Sequence, residues 1–293
     1  MKIYAQDHNN ILVDVIKQFE EVELKDAEVV VLWQDVIGLG KGIAKLAHLQ
    51  KKPVIVCQHG IHSIVDYCPP LSYPLLADKI CVWGPRDKED LLRIGISEKR
   101  IELTGTTIFN HLKPKEKHEG INIIFRPAHW DIRQINENKV VAEALRKIKG
   151  INIITKLVET QDPEGFDNPI QSHRDEPGHL EACANVLSKA DLVVAVAGDG
   201  TFEMMAYFLD IPVVIPDIWS PKFFLNKPSF PMIYTEACDL VSLSNLEKTI
   251  WENLEHPEKK KEERKFVAIQ QGGRGLPGNP LDKIVEVIKT IKL

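Results

Sequence analysis

The chain has 293 residues, of which 44% are hydrophobic and 27% are charged, and its formal net charge is −5. This composition is typical of a globular protein, and the length favours two domains. The mild negative charge argues against a dedicated nucleic-acid-binding protein, and neither a membrane-spanning run nor a signal peptide is visible. Five scattered cysteines without a CxxC pair indicate a reducing compartment, so we expect a cytoplasmic protein.

Short apolar runs alternate with helical patterns in the first part of the chain, which predicts a parallel α/β sheet. Gly38-Leu39-Gly40-Lys41-Gly42 opens one of these helices but lacks the spacing of a dinucleotide-binding turn, so we interpret it as a close turn. Cys57 and Cys81 fall in predicted buried strands and act as small apolar side chains. The predicted strands are residues 2–5, 28–33, 53–57, 79–83 and 100–103, and the predicted helices are residues 11–19, 38–49 and 85–94.

The strand at residues 53–57 ends in Gln58-His59-Gly60. A histidine at the carboxyl end of a parallel strand lies where doubly wound sheets bind ligands, and its pKa suits proton transfer near neutrality. We therefore interpret His59 as a functional residue, with a structural histidine as the competing interpretation. His62 and Asp66 follow, and we expect them to orient a ligand or His59.

Residues 190–216 predict a central βαβ unit with strands at 192–196 and 211–215 and a helix at 201–209. Gly198-Asp199-Gly200-Thr201 joins the first strand to the helix, with Asp199 or Thr201 placed to cap it. Glycines let a ligand approach the main chain, and the first N–H groups of a helix attract anions. We interpret this turn as a phosphate-binding site. The competing interpretation is a βα turn whose glycines serve geometry alone.

The rest of the second half also predicts alternating strands and helices. Arg126 ends one strand, and we interpret it as binding either a ligand phosphate or a surface carboxylate. Lys156 lies near the end of another strand, where it can neutralise a phosphate. Residues 113–120 read as a solvated linker, residues 162–177 as a mobile lid, and residues 259–265 as a solvated helical face. The remaining predicted strands are 121–127 and 151–157, and the remaining helices are 140–148, 180–188, 243–255, 257–270 and 280–291.

Five segments together resemble the GT-B glycosyltransferase-like superfamily. The nearest groups are CDP-glycerol glycerophosphotransferases, surface-polysaccharide transferases and UDP-N-acetylglucosamine 2-epimerases. The resemblance implies an α/β fold of two Rossmann-like, doubly wound parallel-sheet domains that face a cleft. Residues 1–112 would form the acceptor domain and residues 118–293 the nucleotide-donor domain, with the last helix crossing back to the first. The segments are QHG (58–60), ADKICVWG (77–84), RIELTGT (100–106), INIIFRPAHWD (121–131) and AGDGTFEMMAYFLDIPVV (197–214).

The resemblance also assigns roles to residues. His59 matches the family's histidine that acts as base, and Gly200 and Thr201 match the donor-phosphate turn. In many relatives an acid seven positions before the proline of the next strand holds the ribose, but this chain has Met205 there, and Glu203 is the nearest acid. The acceptor-side candidates are Gly38, Gly60, His62 and Asp66, and the donor-side candidates are Arg126, Lys156, Gly198, Asp199, Gly200, Thr201 and Glu203.

Three functions follow from these observations. The first is a metal-independent transferase that moves a sugar or a glycerophosphoryl-type group from a UDP- or CDP-linked donor, with no further cofactor, to an unknown acceptor. The second is a UDP-sugar 2-epimerase, which the scarcity of suitable carboxylates disfavours. The third is a non-catalytic nucleotide-sugar-binding protein, which Met205 favours. Because the first domain is short, a homodimer in which a second subunit assists acceptor recognition stays open.

Overall fold

The computed structural model describes residues 1–7, 12–35, 38–58, 76–128, 134–173, 178–196, 200–218 and 237–291. Contacts between Cα atoms divide the chain into two compact units. The first unit combines Met1–Asn110 with Ile269–Leu293, and the second is His111–Ala268. Among the candidate site residues, those that lie outside the described residues are His59, Gly60, His62, Asp66, Gly198 and Asp199.

Both units are built from parallel strands and helices. The strands are β1 (Lys2–Gln6), β2 (Glu20–Glu21), β3 (Val29–Leu32), β4 (Val54–Cys57), β5 (Lys79–Val82), β6 (Ile101–Leu103), β7 (Ile121–Arg126), β8 (Ile151–Val158), β9 (Pro169–Ser172), β10 (Leu192–Ala195), β11 (Val213–Pro216) and β12 (Asp239–Val241). The helices are α1 (Val13–Ile16), α2 (Gly38–Leu49), α3 (Pro85–Arg93), α4 (Gln134–Arg146), α5 (His179–Leu187), α6 (Thr201–Phe208), α7 (Leu246–Glu255), α8 (Lys261–Gln270) and α9 (Pro280–Thr290).

The first unit is a six-stranded parallel sheet in the order β2-β1-β3-β4-β5-β6. Its central strands β3 and β4 are buried along their whole length, as expected when both faces of a parallel sheet are covered. Helix α2 packs against both strands. It starts close to the end of β3 because residue 40 is glycine, since a Cβ there would lie 2.3 Å from the Gln34 carbonyl oxygen. Residues 38–42, predicted as a close turn, thus form the first part of α2, and Gly40 allows this helix to approach the main chain after β3.

The end of the chain belongs to the first unit. Helix α9 contacts α1, and Ile284 and Ile288 of α9 are buried. The segment before α9 approaches the end of β5 at Gly273, which has a φ of +70°. A Cβ at this position would lie 2.1 Å from the Trp83 carbonyl oxygen, so only glycine permits the contact.

The second unit is a six-stranded parallel sheet in the order β12-β11-β10-β7-β8-β9. Counted from β7 as the first strand, this is the 3-2-1-4-5-6 order of doubly wound nucleotide-binding folds. The two central strands β7 and β10 pair in a register that sets Ala195 beside Arg126. The predicted fold class, two Rossmann-like α/β sheets, is therefore confirmed.

The predicted mobile lid at residues 162–177 is wrong for its described part. Residues 169–172 form β9, which pairs with β8 at the edge of the sheet. The segment before β9 is also tied down, because Arg146 Nε donates to Asp167 Oδ2 at 2.7 Å. Residues 174–177 lie outside the described residues.

The predicted solvated helical face at residues 259–265 contains a buried arginine. Arg264 is 1% exposed and donates to Asp210 Oδ1 through Nε at 3.0 Å and Nη2 at 2.7 Å. Nη1 also donates to the carbonyl oxygen of Lys259, and Nη2 to that of Pro257. Arg264 therefore connects α8 to the end of α6, and the expectation of a solvated face is wrong at this position.

The segment predicted as a solvated linker lies on the second unit. Lys113 Nζ donates to Asn185 Oδ1 at 2.6 Å, and the Glu116 N–H donates to the Ser188 carbonyl oxygen at 2.7 Å. These bonds attach the segment to α5. Within the described parts of the chain, no helix has both the length and the apolar character needed to cross a bilayer.

Candidate functional site

The carboxyl ends of β7 and β10 define the candidate site of the second unit. In a doubly wound sheet a ligand crevice opens where the strand order reverses, and in this sheet that point lies between these two strands. Arg126 is the last residue of β7, and helix α6 begins shortly after β10. The sheet therefore brings an arginine and a helix N-terminus to the same edge, as both sequence predictions require.

Glu203 caps helix α6. Gly200 is the N-cap residue, in an extended conformation with a φ of −112°, and its N–H donates to Glu203 Oε2 at 2.7 Å. Thr201 is the first helical residue, so the expectation that it caps the helix is wrong, whereas Asp199 lies outside the described residues. One of the main-chain donors predicted to bind phosphate is thus already bonded to a carboxylate of the same helix.

Arg126 supplies positive charge beside this cap. Its guanidinium carbon lies 6.0 Å from the centre of the Phe202 ring, and Nη1 donates to the Pro127 carbonyl oxygen at 2.9 Å. Glu203 is 3% exposed, and this burial raises its pKa, while Arg126 opposes the rise. An anion that reaches this edge therefore meets Arg126 and helix N–H groups as attraction, and the Glu203 carboxylate as competition.

Lys156 is a buried residue near the carboxyl end of β8. It is 1% exposed, and its Nζ donates to the Leu157 carbonyl oxygen and to Ser172 Oγ, both at 2.7 Å. Burial lowers its pKa, and the nearby Cys183 and Arg126 act on it in opposite directions. The amine therefore holds β8 to β9, and its predicted contact with a phosphate stays a prediction.

Three polar groups next to Lys156 were missed by sequence reasoning. Ser172 Oγ lies 2.8 Å from His179 Nδ1, and His179 Nε2 lies 3.7 Å from Cys183 Sγ. Histidine and cysteine four residues apart on α5 share one helix face, which is a signal that the sequence offers. Ser172 gave no such signal, because the strand that carries it, β9, was not predicted.

Met205 lies in the core of the second unit, where it is 1% exposed. The position at which the resemblance implies a ribose-binding acid thus holds a buried apolar side chain. Glu203 lies two residues earlier and is occupied with the cap, so no carboxylate from this part of α6 takes the place of the missing acid in the structure.

In the first unit, the described part of the predicted acceptor side is the edge where β4, β5 and β6 end. Trp83 bonds Gln58 twice, through N–H to Oε1 at 2.9 Å and Nε1 to the carbonyl oxygen at 2.7 Å. A small cavity beside this pair is lined in part by Thr106 and Thr107. Gly38 is exposed at the start of α2 with a φ of +52°. The two bonds to Trp83 therefore fix the position of Gln58, the residue that precedes His59 in the sequence.

Asp87 is a buried carboxyl group near the same edge, and its pKa is shifted upward. It is 1% exposed, accepts the Gly84 N–H through Oδ2 at 3.1 Å, and leaves Oδ1 without a described partner. Burial raises its pKa well above the ordinary range of a carboxyl group. Among the described residues, no group of three or more His, Cys, Asp and Glu side chains is arranged to hold a metal ion.

Comparison with known proteins places the fold. No family model matches the chain, and no curated protein matches its sequence. S. aureus MnaA, in a co-structure with UDP, is 14% identical with a TM-score of 0.65 over 99% of this chain and 95% of that chain. The wall teichoic acid polymerase TagF, soaked with CDPG, is 13% identical with a TM-score of 0.64 over 98% and 87%.

A third similar structure is the UDP-GlcNAc 2-epimerase of Methanocaldococcus jannaschii in complex with UDP-GlcNAc and UDP. It is 14% identical with a TM-score of 0.55 and covers 92% of this chain and 99% of that chain. At sequence identities this low, the similarity to these structures shows a shared fold alone. The strand orders of both sheets and these matches together show that the chain has the GT-B fold, built from two Rossmann-like α/β units.

Proposed function

We propose that the protein is a metal-independent transferase that moves a sugar, or a glycerophosphoryl-type group, from a UDP- or CDP-linked donor to an acceptor. One observation carries the proposal: Arg126 and the N-terminus of α6 lie at the edge of the second sheet where its strand order reverses. Similar structures hold UDP, CDPG or UDP-GlcNAc. The described Cys57, Cys81 and Cys183 carry free thiols, in agreement with a reducing cytoplasm.

The donor phosphates would bind Arg126 and the main-chain N–H groups of Gly200 and Thr201, with Gly198 and Asp199 completing the turn. As the bond to the transferred group breaks, negative charge develops on the leaving phosphate. Donors that already point at this charge stabilise the transition state more than the ground state. Binding at this site requires Glu203 to release the Gly200 N–H, so donor binding and the cap compete.

On the acceptor side, His59 would remove the proton of the attacking hydroxyl group. Gly38, Gly60, His62 and Asp66 would line the acceptor pocket. The bonds between Gln58 and Trp83 support this role, because they hold the main chain that leads into His59. A base contributes roughly a hundredfold to ten-thousandfold to a rate, so we expect His59→Ala to lower turnover by at least about a hundredfold without weakening donor binding.

Two other functions are the alternatives to transfer. A UDP-sugar 2-epimerase is favoured by the likeness to an enzyme of that description. A non-catalytic binding protein is favoured by Met205, which is buried where relatives carry an acid. The homodimer stays part of the proposal, and sedimentation analysis measures it directly.

A panel of nucleotide sugars and CDP-glycerol separates these functions. A transferase releases a nucleoside diphosphate or monophosphate, an epimerase converts the sugar with the nucleotide still attached, and a binding protein only raises its melting temperature with the ligand. Arg126→Gln should weaken donor binding about tenfold or more, because it removes the charge at the phosphate. Arg93→Gln, which removes an exposed arginine of the first unit, is the matched control. Equal binding by both variants would remove Arg126 from the site.

A further inference from the structure

Helix α2 presents an apolar stripe to the outside of the first unit. Leu39, Leu46 and Leu49 are 67%, 45% and 82% exposed. Residues seven or three positions apart lie on the same side of a helix, so the three side chains form one stripe roughly 15 Å long. The side of α2 next to this stripe is buried against the sheet through Ile43, Ala44 and Ala47. The leucines are therefore not needed for the core of this unit.

Unpaired lysines lie on one side of this stripe and directly after the end of α2. Lys41, Lys45 and Lys51 are exposed, and none of them forms an ion pair with any carboxylate of the described residues. Residues 38–58 contain no aspartate or glutamate. The acid next to this helix, Asp78, is already bonded to His48 Nε2 at 3.1 Å and to the Val54 N–H at 2.8 Å. The face is thus apolar and basic, although the chain as a whole carries a net charge of −5.

We propose that this face of α2 docks the protein on a bilayer surface that contains anionic lipids. A helix with leucines on one side and lysines beside them lies in the lipid headgroup region, with the leucines in the acyl boundary and the ammonium groups at the lipid phosphates. The remaining half of α2 stays packed on the sheet, so the interaction is peripheral and reversible. Docking would bring the carboxyl edge of the first sheet, where α2 begins, close to the membrane.

The charge of the face decides between the candidate partners. A second copy of this chain is disfavoured, because like faces would bring the unpaired lysines of two protomers together. An acidic protein would satisfy the lysines, but it would also have to cover a convex row of leucines. An anionic bilayer satisfies both groups at once, since each lysine near such a surface contributes roughly fivefold to binding.

The test is sedimentation of the full chain with vesicles of phosphatidylcholine alone and of phosphatidylcholine mixed with phosphatidylglycerol. We expect binding to the mixed vesicles, little binding to the neutral ones, and weakening by added salt. Lys41→Glu with Lys45→Glu should weaken binding at least roughly twenty-fivefold. Leu46→Ser with Leu49→Ser should weaken it at least about tenfold, because burial of a leucine side chain favours binding by that order.

Matched controls keep the test specific. Lys147→Glu with Lys149→Glu changes two exposed lysines of the second unit by the same charge. Phe266→Ser removes a side chain that is 60% exposed on α8, a helix that also carries Glu262 and Glu263. We expect both controls to bind like the wild type and all variants to keep its melting temperature. No binding of the wild type, equal weakening by the controls, or self-association through α2 without lipid would overturn the proposal.

Discussion

Glu203→Gln tests the phosphate site of the second unit most directly. The Glu203 carboxylate is 3% exposed and accepts the Gly200 N–H at 2.7 Å, so it occupies a donor that a bound phosphate needs. Glutamine has nearly the same shape and accepts the same hydrogen bond through its amide oxygen, but it carries no charge. Because glutamine keeps the hydrogen bond but no longer repels an anion, we expect the variant to bind UDP more tightly than the wild type does.

The magnitude follows from the distance between the two anions. A phosphate bound at the same helix start would lie about 4 Å from the carboxylate, where two like charges repel by about 4 kcal/mol at an effective dielectric constant of about 20. The positive charge of Arg126 and movement of the carboxylate away from the phosphate offset much of this repulsion. We expect a net gain of about 1.4 kcal/mol, which is a tenfold lower Kd.

The same substitution changes how stability depends on pH. Burial raises the pKa of Glu203, so the folded protein holds this proton more tightly than the unfolded chain does. The wild type therefore loses stability as the pH rises from the ordinary glutamate pKa through the raised one. The glutamine variant has no proton to lose at this position, so we expect its unfolding free energy to fall less than that of the wild type over that interval.

Calorimetric titration with UDP at neutral pH measures the binding effect. Glu143→Gln, at an exposed position of α4, is the matched control and should leave the Kd unchanged. If Glu203→Gln instead weakened UDP binding tenfold at an unchanged melting temperature, the carboxylate itself would contact the donor. That result would refute the competition between the cap and the phosphate.

Two further predictions concern buried charges elsewhere. Arg264→Ala should destabilise the protein by about 3 kcal/mol, because it removes a buried guanidinium that bonds Asp210 Oδ1 and two main-chain carbonyl oxygens, and thermal unfolding should show a melting temperature about 6–12 °C lower. Lys265→Ala, at an exposed neighbour, should leave it unchanged, and equal effects would contradict the reasoning. Asp87→Asn should raise stability at neutral pH, since burial raises the pKa of Asp87 and its ionisation costs stability as the pH rises. Urea unfolding at several pH values checks this, and a loss of stability at neutral pH would contradict it.

The sequence by itself determined the kinds of elements and the positions of most of them. Runs such as residues 29–32 and 192–195 are apolar and rich in β-branched residues, and this local pattern predicts buried parallel strands. Helix α2 begins and ends at the predicted residues. The position of Arg126 at the end of a strand was also readable, because strand ends follow from the same local pattern.

Only the tertiary structure decided the strand order and the edge strands. The strands β2 and β12 have two and three residues, and β9 is largely exposed, so none of them has a strong apolar pattern. They exist because a neighbouring strand offers unpaired main-chain groups, which is a contact between residues far apart in the chain. The reversal of strand order between β7 and β10, which places the candidate site, is non-local for the same reason.

Side-chain roles at the site were also decided by packing. Spacing from the strand end suggested a phosphate contact for Lys156, but its amine is buried and bonded to β9, a strand that local patterning does not show. Glu203 lies one helical turn after Gly200, a spacing that suits a cap as well as a ligand contact. In this structure the Glu203 carboxylate is buried beside Arg126 and caps the helix. A carboxylate that is removed from water needs hydrogen-bond donors nearby, and the Gly200 N–H is such a donor.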